Sequence, residues 1–233
     1  MLRERIKKFA IKHERLLTVY RKTFGKIKTA FYFELQRKKL QQNGLSMIES
    51  IHSELTKANA SFFIDCGTLL GIVRDNKLIK HDRDMDFGIW FDDKFRPDDL
   101  DRVMLSLGFK KVSEGIFSQK IEEITYSKGV IHVDFFNHTE EGDRSLIYLF
   151  YRDIEKQYPS NKHCSVIILK RAHITGLKTI EIDDMHLNIP ENVETYLTSA
   201  YTEDWRNPNP DWLYTMEPGC TYVKNEFGFK EIS

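Results

Sequence analysis

The chain has 233 residues, 41% hydrophobic and 12% aromatic, with 35 Lys/Arg against 35 Asp/Glu, which excludes a disulfide-stapled miniprotein, a collagen and a wholly disordered chain, and suffices for one core with an appendage. The zero net charge hides an asymmetry: residues 1–40 hold thirteen Lys/Arg against Glu4, Glu14 and Glu34, so a segment of net +10 precedes a remainder of −10. No run approaches the ~20 apolar residues that span a bilayer, no apolar stretch of a secretory signal follows the first charges, and Cys66, Cys164 and Cys220 are odd in number and widely spaced, so a reducing, cytoplasmic setting is expected.

Residues 2–43 read as helix interrupted near Gly25, an N-terminal helical appendage (1–44) to a body formed by 45–233. Gly44 breaks the pattern, and Leu45, Ile48, Ile51 and Leu55 then form the stripe of an amphipathic helix ending near Asn59. Phe62 to Asp65 is a short strand, Gly67-Thr68 opens an apolar turn of helix closing on Arg74, and Met85 to Trp90 alternates like a strand that could lie beside the first. Pro97-Asp98-Asp99 starts a helix running to Leu107, followed by strand-like runs at 109–113, 116–126, 130–136 and 146–151. A hairpin is predicted across Asp183-Asp184, with Pro190 in the first turn of a helix containing Tyr196, Leu197, Ala200 and Tyr201. The end, with Pro208, Pro210 and Pro218, reads as loop. The fold class is α/β (α+β), a mixed sheet flanked by helices.

The densest chemical signal is His81-Asp82-Arg83-Asp84-Met85-Asp86. At the entry of a strand, the period of two points Asp84 and Asp86 to one side and Met85 into the core. Two like charges so placed repel unless a cation sits between them, and hard oxygen donors suit Mg²⁺ or Mn²⁺. A third carboxylate, Asp134, stands in the apolar strand Val130 to Phe136, where a charge is costly unless paired or ligating. Gly67-Thr68, between a strand and a helix, offers free backbone N–H groups and a hydroxyl for a phosphate, with Arg74 as a clamp. Phosphate cradle, paired carboxylates and third carboxylate together form a layout that serves metal-assisted phosphoryl or nucleotidyl transfer.

These residues resemble a known family. Gly67-Thr68-Leu69-Leu70-Gly71 to Arg74, then Ile79 and Asp82-Arg83-Asp84-Met85-Asp86-Phe87-Gly88, is similar to the signature of the LicD/fukutin-related family, and Ile189-Pro190, Tyr196-Leu197 and Tyr201 to Trp205 are similar to its C-terminal element. The resemblance covers about residues 60–205. It implies a nucleotidyltransferase-like fold and a phosphotransferase that moves phosphocholine or a phospho-alditol from a CDP-linked donor to a sugar hydroxyl of a glycan acceptor in capsule or teichoic acid synthesis. Asp84, Asp86 and Asp134 would hold Mg²⁺ (or Mn²⁺), Asp134 or Asp82 would take the proton, and Gly67, Thr68 and Arg74 would touch donor phosphate. His81 stands where the family has Trp, Arg83 where an acid is common, and Thr202 where Gly is usual; His81 and Arg83 are read as substrate-contacting changes of donor or acceptor choice. Asn76, in place of glycine, still suits a left-handed turn.

Two other readings stay open: transfer of the nucleotide itself to a small molecule, RNA or protein, and a non-catalytic scaffold that binds a membrane or partner through the basic N-terminus. No nucleic-acid partner is expected, since no aromatic-basic RNA module is legible. Residues 1–40 are expected to meet an anionic membrane face that presents a lipid-linked acceptor. His132, His138, His163, His173 and His186 lack metal spacing and read as surface or satisfied core histidines; Tyr201 and Trp205 read as packing.

Overall fold

The computed structural model describes residues 14–232. Its first element, α1 (Glu14–Lys57), runs unbroken through Gly25 and Gly44, where the sequence predicts interruptions. A helical glycine costs about 1 kcal/mol against alanine, which packing along a helix this long outweighs. At Gly44 the reason is close approach: a Cβ would strike the Leu78 side chain and lie 3.1 Å from Leu40 Cδ1. The predicted stripe is real, with Ile48, Ile51 and Leu55 fully buried, and Leu40 is buried with them. Gln36 Nε2 donates to the Val130 carbonyl at 2.9 Å and Gln41 Nε2 to that of Ile79 at 3.1 Å. Residues 1–13 of the predicted appendage lie outside the described residues.

The predicted neighbours β1 (Ser61–Ile64) and β2 (Asp84–Trp90) pair antiparallel, with Ile64 opposite Phe87. Between them lies α2 (Cys66–Asp75), closed by Asn76 at φ 52° as the left-handed cap expected of that asparagine. Next come α3 (Pro97–Ser106), β3 (Lys110–Phe117), β4 (Lys120–Lys128), β5 (Ile131–Asn137), β6 (Thr139–Glu141) and β7 (Arg144–Tyr151). The β3–β4 turn falls at Ser118-Gln119, both at positive φ. That pair carries no usual turn signature, so the predicted boundaries were displaced.

Strand β8 (His163–Ala172) was not legible, and the C-terminal region read as loop contains β11 (Cys220–Tyr222) and β12 (Gly228–Ile232). The hairpin of β9 (Leu177–Ile182) and β10 (Met185–Pro190) turns at Asp183-Asp184 as expected. Pro190 ends β10, and α4 (Val193–Tyr201) starts three residues later, correcting the predicted helix start. Pro190 is tolerated because β10 pairs only with β9, which leaves its other edge without ladder bonds to lose.

Ten strands form one large curled mixed sheet in the order β1-β2-β5-β4-β3-β12-β8-β7-β6, with β11 on β8. Only β2 and β5 run parallel among the pairs that flank the carboxylates. One face of β2 and β5 buries Met85, Phe87, Val133 and Phe135 completely, the two phenylalanine rings stacked at 5.1 Å. The fold is α+β, and among the described residues no helix is long and apolar enough to cross a membrane.

Gly88 sits where strand packing leaves no room: a Cβ would strike the Phe63 ring and lie 2.8 Å from His138 Nε2. Gly88→Ala should therefore lower stability by about 1–3 kcal/mol in urea unfolding. A stability equal to that of the parent chain would contradict this packing.

Candidate active site

Strand alternation does what the sequence predicts on β2. Met85 points into the core while Asp84 and Asp86 stay half-buried on the other face. Parallel pairing sets Asp86 opposite Asp134 and Asp84 opposite His132, so three carboxylates share one patch of sheet. On the next strand, Thr125 lies opposite Asp134 and its hydroxyl donates to Asp134 Oδ1 at 2.5 Å.

The start of α2 is locked against this patch. The buried Thr68 hydroxyl accepts the Asp86 backbone N–H at 2.9 Å, so it ties α2 to β2, and the Asp65 N–H donates to the Asp86 carbonyl at 2.9 Å. A Cβ on Gly67 would lie 2.7 Å from Asp82 Oδ2 and 3.6 Å from Asp86 Oδ2. Glycine thus keeps open the space on which two carboxylates converge. Gly67, Arg74, His81 and Asp82 line one side of a pocket of about 480 Å³. Arg74 is ion-paired with Asp75 at 3.0 Å. Arg83 turns away, its guanidinium 4.1 Å above the Phe33 ring of α1.

Burial raises every carboxylate here, joined at Asp82, Asp86 and Asp134 by neighbouring carboxylates. Burial, then Asp84, pushes Asp82 up to about 7. Burial, then Glu123 and Asp84, pushes Asp134 up to about 8. Asp86 is raised by burial and by Asp84, Asp134 and Asp82, and Asp84 by burial against the opposing pull of Arg83 and His132. Hard oxygen donors whose ionisation is held back for want of positive charge are a set that a divalent cation fits. Among the described residues no three His, Cys, Asp or Glu side chains close around one point. Two carboxylates completed by substrate phosphate oxygens are the way Mg²⁺ is commonly held.

Sequence reading missed the polar group that supports this site. Asp65, fully buried, caps α2 by accepting the Cys66 N–H at 2.7 Å. Its carboxylate also takes Arg171 Nη1 at 3.0 Å and the Tyr196 hydroxyl at 2.9 Å, with His138 Nε2 at 3.0 Å. Burial alone would raise Asp65, but Arg171 and His138 hold it down to about 2. Arg171 in turn donates to both oxygens of Glu217, at 3.1 and 2.8 Å. The visible hint was the β-forming apolar run Val166 to Leu169 just before Arg171, whose strand went unread. His138 is the satisfied core histidine expected. Lys230, on the unread β12, reaches the acid face by donating to Glu123 at 2.9 Å, and it pulls Asp134 downward against the other influences.

The mixed sheet thus sets acidic side chains beside the first turn of a helix that carries Gly67. The family model of the LicD/FKTN/FKRP nucleotidyltransferase domain matches residues 59–192, more than half of the chain, and the chain belongs to that family. Enzymes of that family are commonly metal-dependent transferases. An uncharacterized protein of Rickettsia typhi is 30% identical over 115 residues, 49% of this chain and 33% of that protein, so the chain covers about a third of that relative's length.

Removing Arg171 leaves Asp65 and Glu217 buried without their cation, so Arg171→Met should cost about 3–5 kcal/mol in urea unfolding. The acid patch gives a pH dependence of the opposite kind to that of Asp65. Asp82 and Asp134 titrate near 7 and 8 in the folded chain and near ~3.9 when unfolded. Between those values the native state binds more protons, so these groups make the metal-free fold lose stability as pH rises from about 4 to about 8. Mg²⁺ should then raise the thermal midpoint more at pH 8 than at pH 5, and Asp86→Asn should lessen both effects. A Mg²⁺ shift independent of pH and of Asp86 would contradict the assignment.

Proposed function

We propose that the chain transfers a phospho-head group, phosphocholine or a phospho-alditol such as ribitol or glycerol phosphate, from a CDP-linked donor to a sugar hydroxyl of a cell-surface glycan. The observation that carries this reading is the convergence of Asp82 and Asp86 on the space left by Gly67, with Asp84 and Asp134 on the same sheet face. An anionic diphosphate would find there the start of a helix on one side and a carboxylate patch suited to a divalent cation on the other.

Asp84, Asp86 and Asp134 would hold Mg²⁺ or Mn²⁺, which supplies charge neutralisation of the reacting phosphate and of the leaving CMP. Gly67 and the first turn of α2 bind and orient donor phosphate, and Arg74 stands ready at the pocket wall. The attacking sugar hydroxyl would give its proton to Asp134 or Asp82, which lie on the carboxylate side of the site. Attack on the head-group phosphorus forms the new phosphodiester and breaks its bond to the bridging oxygen, so that CMP leaves.

Incubation with Mg²⁺ and CDP-choline, CDP-ribitol, CDP-glycerol or CDP-ethanolamine should release CMP with one donor and a glycan acceptor. Asp84→Ala, folded by thermal unfolding, should reduce that release about 10²–10³-fold. Near-normal release in that variant would sink the reading. Release of pyrophosphate with transfer of the nucleotide would replace it with nucleotidyl transfer.

We also propose that the basic N-terminal segment holds the enzyme on an anionic cytoplasmic membrane face, where a lipid-linked acceptor is reached. The net charge of +10 over residues 1–40 and the 72% exposed Phe31 support it. Replacing Arg21, Lys22, Lys26 and Lys28 with Gln should cut binding to phosphatidylserine vesicles by orders of magnitude, at about 1 kcal/mol per lost charge. Undiminished binding would refute it.

A further inference from the structure

We propose that the segment from Tyr201 to Trp212 is the nucleoside-binding wall of the active site, taking the base and ribose of the donor nucleotide. This rests on the donor reading above and adds which part of the chain recognises the nucleotide. The family model stops at residue 192, and of this wall only Tyr201 to Trp205 carries the family-like element noted in the sequence.

The pocket of about 480 Å³ has two chemically different sides. One belongs to the carboxylate patch and carries Arg74, His81 and Asp82 beside Gly67, with the apolar Leu70 and Ile79 among them. The other is mainly aromatic and amide-bearing, with Tyr201, Trp205, Trp212, Asn207 and Asn209, and includes one carboxylate, Asp204. A ligand that satisfies both sides carries an anion at one end and a flat ring with hydrogen-bonding edges at the other, which is the constitution of a nucleotide. Its volume falls within the range that encloses ligands of this size.

Connectivity favours the nucleoside over the acceptor sugar. In a nucleoside diphosphate donor, the ribose is one ester bond from the phosphates, so the base must lie within a ribose length of the carboxylates. This pocket meets that condition through Gly67 and Asp82. An acceptor needs to deliver only a hydroxyl and can come from the open side.

Two further observations concern the wall itself. The Nε1 donors of Trp205 and Trp212 are buried without an acceptor, an unfavourable arrangement for a polar group. Thr202 turns the chain from α4 into the wall at φ 67°, ψ 178°, a region nearly confined to glycine. Strain and unmet donors thus coincide in one segment facing the phosphate helix.

The test is calorimetric titration of the full chain in Mg²⁺ with CMP, AMP and a panel of neutral monosaccharides. CMP should bind, and Trp212→Ala should weaken it about 5- to 150-fold, the loss that removal of one stacking ring produces. Should that variant melt early, Trp212→Leu keeps apolar volume without the aromatic face and reads the same effect. Equal CMP affinity in parent and variant overturns the placement, and so does a loss confined to the monosaccharides, which would make this the acceptor wall. CMP release from CDP donors is read separately. Normal release with unchanged CMP affinity in the variant sinks the wall and leaves the transfer reading standing. Binding of AMP but not CMP, weakened by Trp212→Ala, keeps the nucleoside wall and sinks the CDP donor; binding of no nucleotide overturns both.

Discussion

Everything at the site hangs on where α2 begins, and that is decided by one buried carboxylate. Asp65 ends β1, caps α2, and is held by Arg171 of β8 and Tyr196 of α4, so a single side chain joins four elements. A buried charge is tolerable only when its oxygens are saturated, and saturation fixes direction as well as energy. With Asp65 held, its N–H meets the Asp86 carbonyl and Thr68 meets the Asp86 N–H. The helix start and the carboxylate strand then cannot slide past one another. Gly67 is brought against Asp82 and Asp86 as a consequence of that fixed register.

The carboxylate patch is built on the opposite principle. Asp65 is surrounded by donors and kept ionised, whereas Asp82, Asp86 and Asp134 are surrounded by one another and kept reluctant to ionise. The first arrangement gives stability and the second withholds it. A fold can carry such an uncompensated patch because the hydrophobic face of the same strands, with Met85, Phe87, Val133 and Phe135 fully buried, secures them from behind. Alternation along a strand lets one backbone serve both demands.

What could be read from the chain follows the range of the interactions involved. The period of two around Met85, the left-handed turn at Asn76 and the hairpin at Asp183-Asp184 are local, and they read correctly. The aspartates of β2 were legible because their spacing alone places them on one side. Gly44 misled because a glycine signals a break only when nothing outside the helix holds it, and Gly44 lies against Leu78, 34 positions away along the chain. Arg171 and Glu217 meet Asp65 only through the folded sheet, so no spacing announces them. Lys230 was hidden for the same reason, in a strand whose partners lie far back in sequence. Arg83 could be found but not aimed: its preference for the Phe33 ring comes from the passing of α1.

The placement of β12 has a bearing on how the protein is made. This strand, residues 228–232, sits between β3 and β8 and joins the half of the sheet that bears the carboxylates to the half that bears Arg171. On the ribosome, β1 to β8 emerge long before it does, and until it arrives β3 and β8 both present open edges. The nascent chain thus holds its carboxylate-bearing strands in a half-closed sheet, with the closing pairing among the most distant in sequence and so among the slowest to form. Loss of a few residues there would reach the active side of the molecule as an unsealed edge prone to self-association, far from any residue that touches substrate.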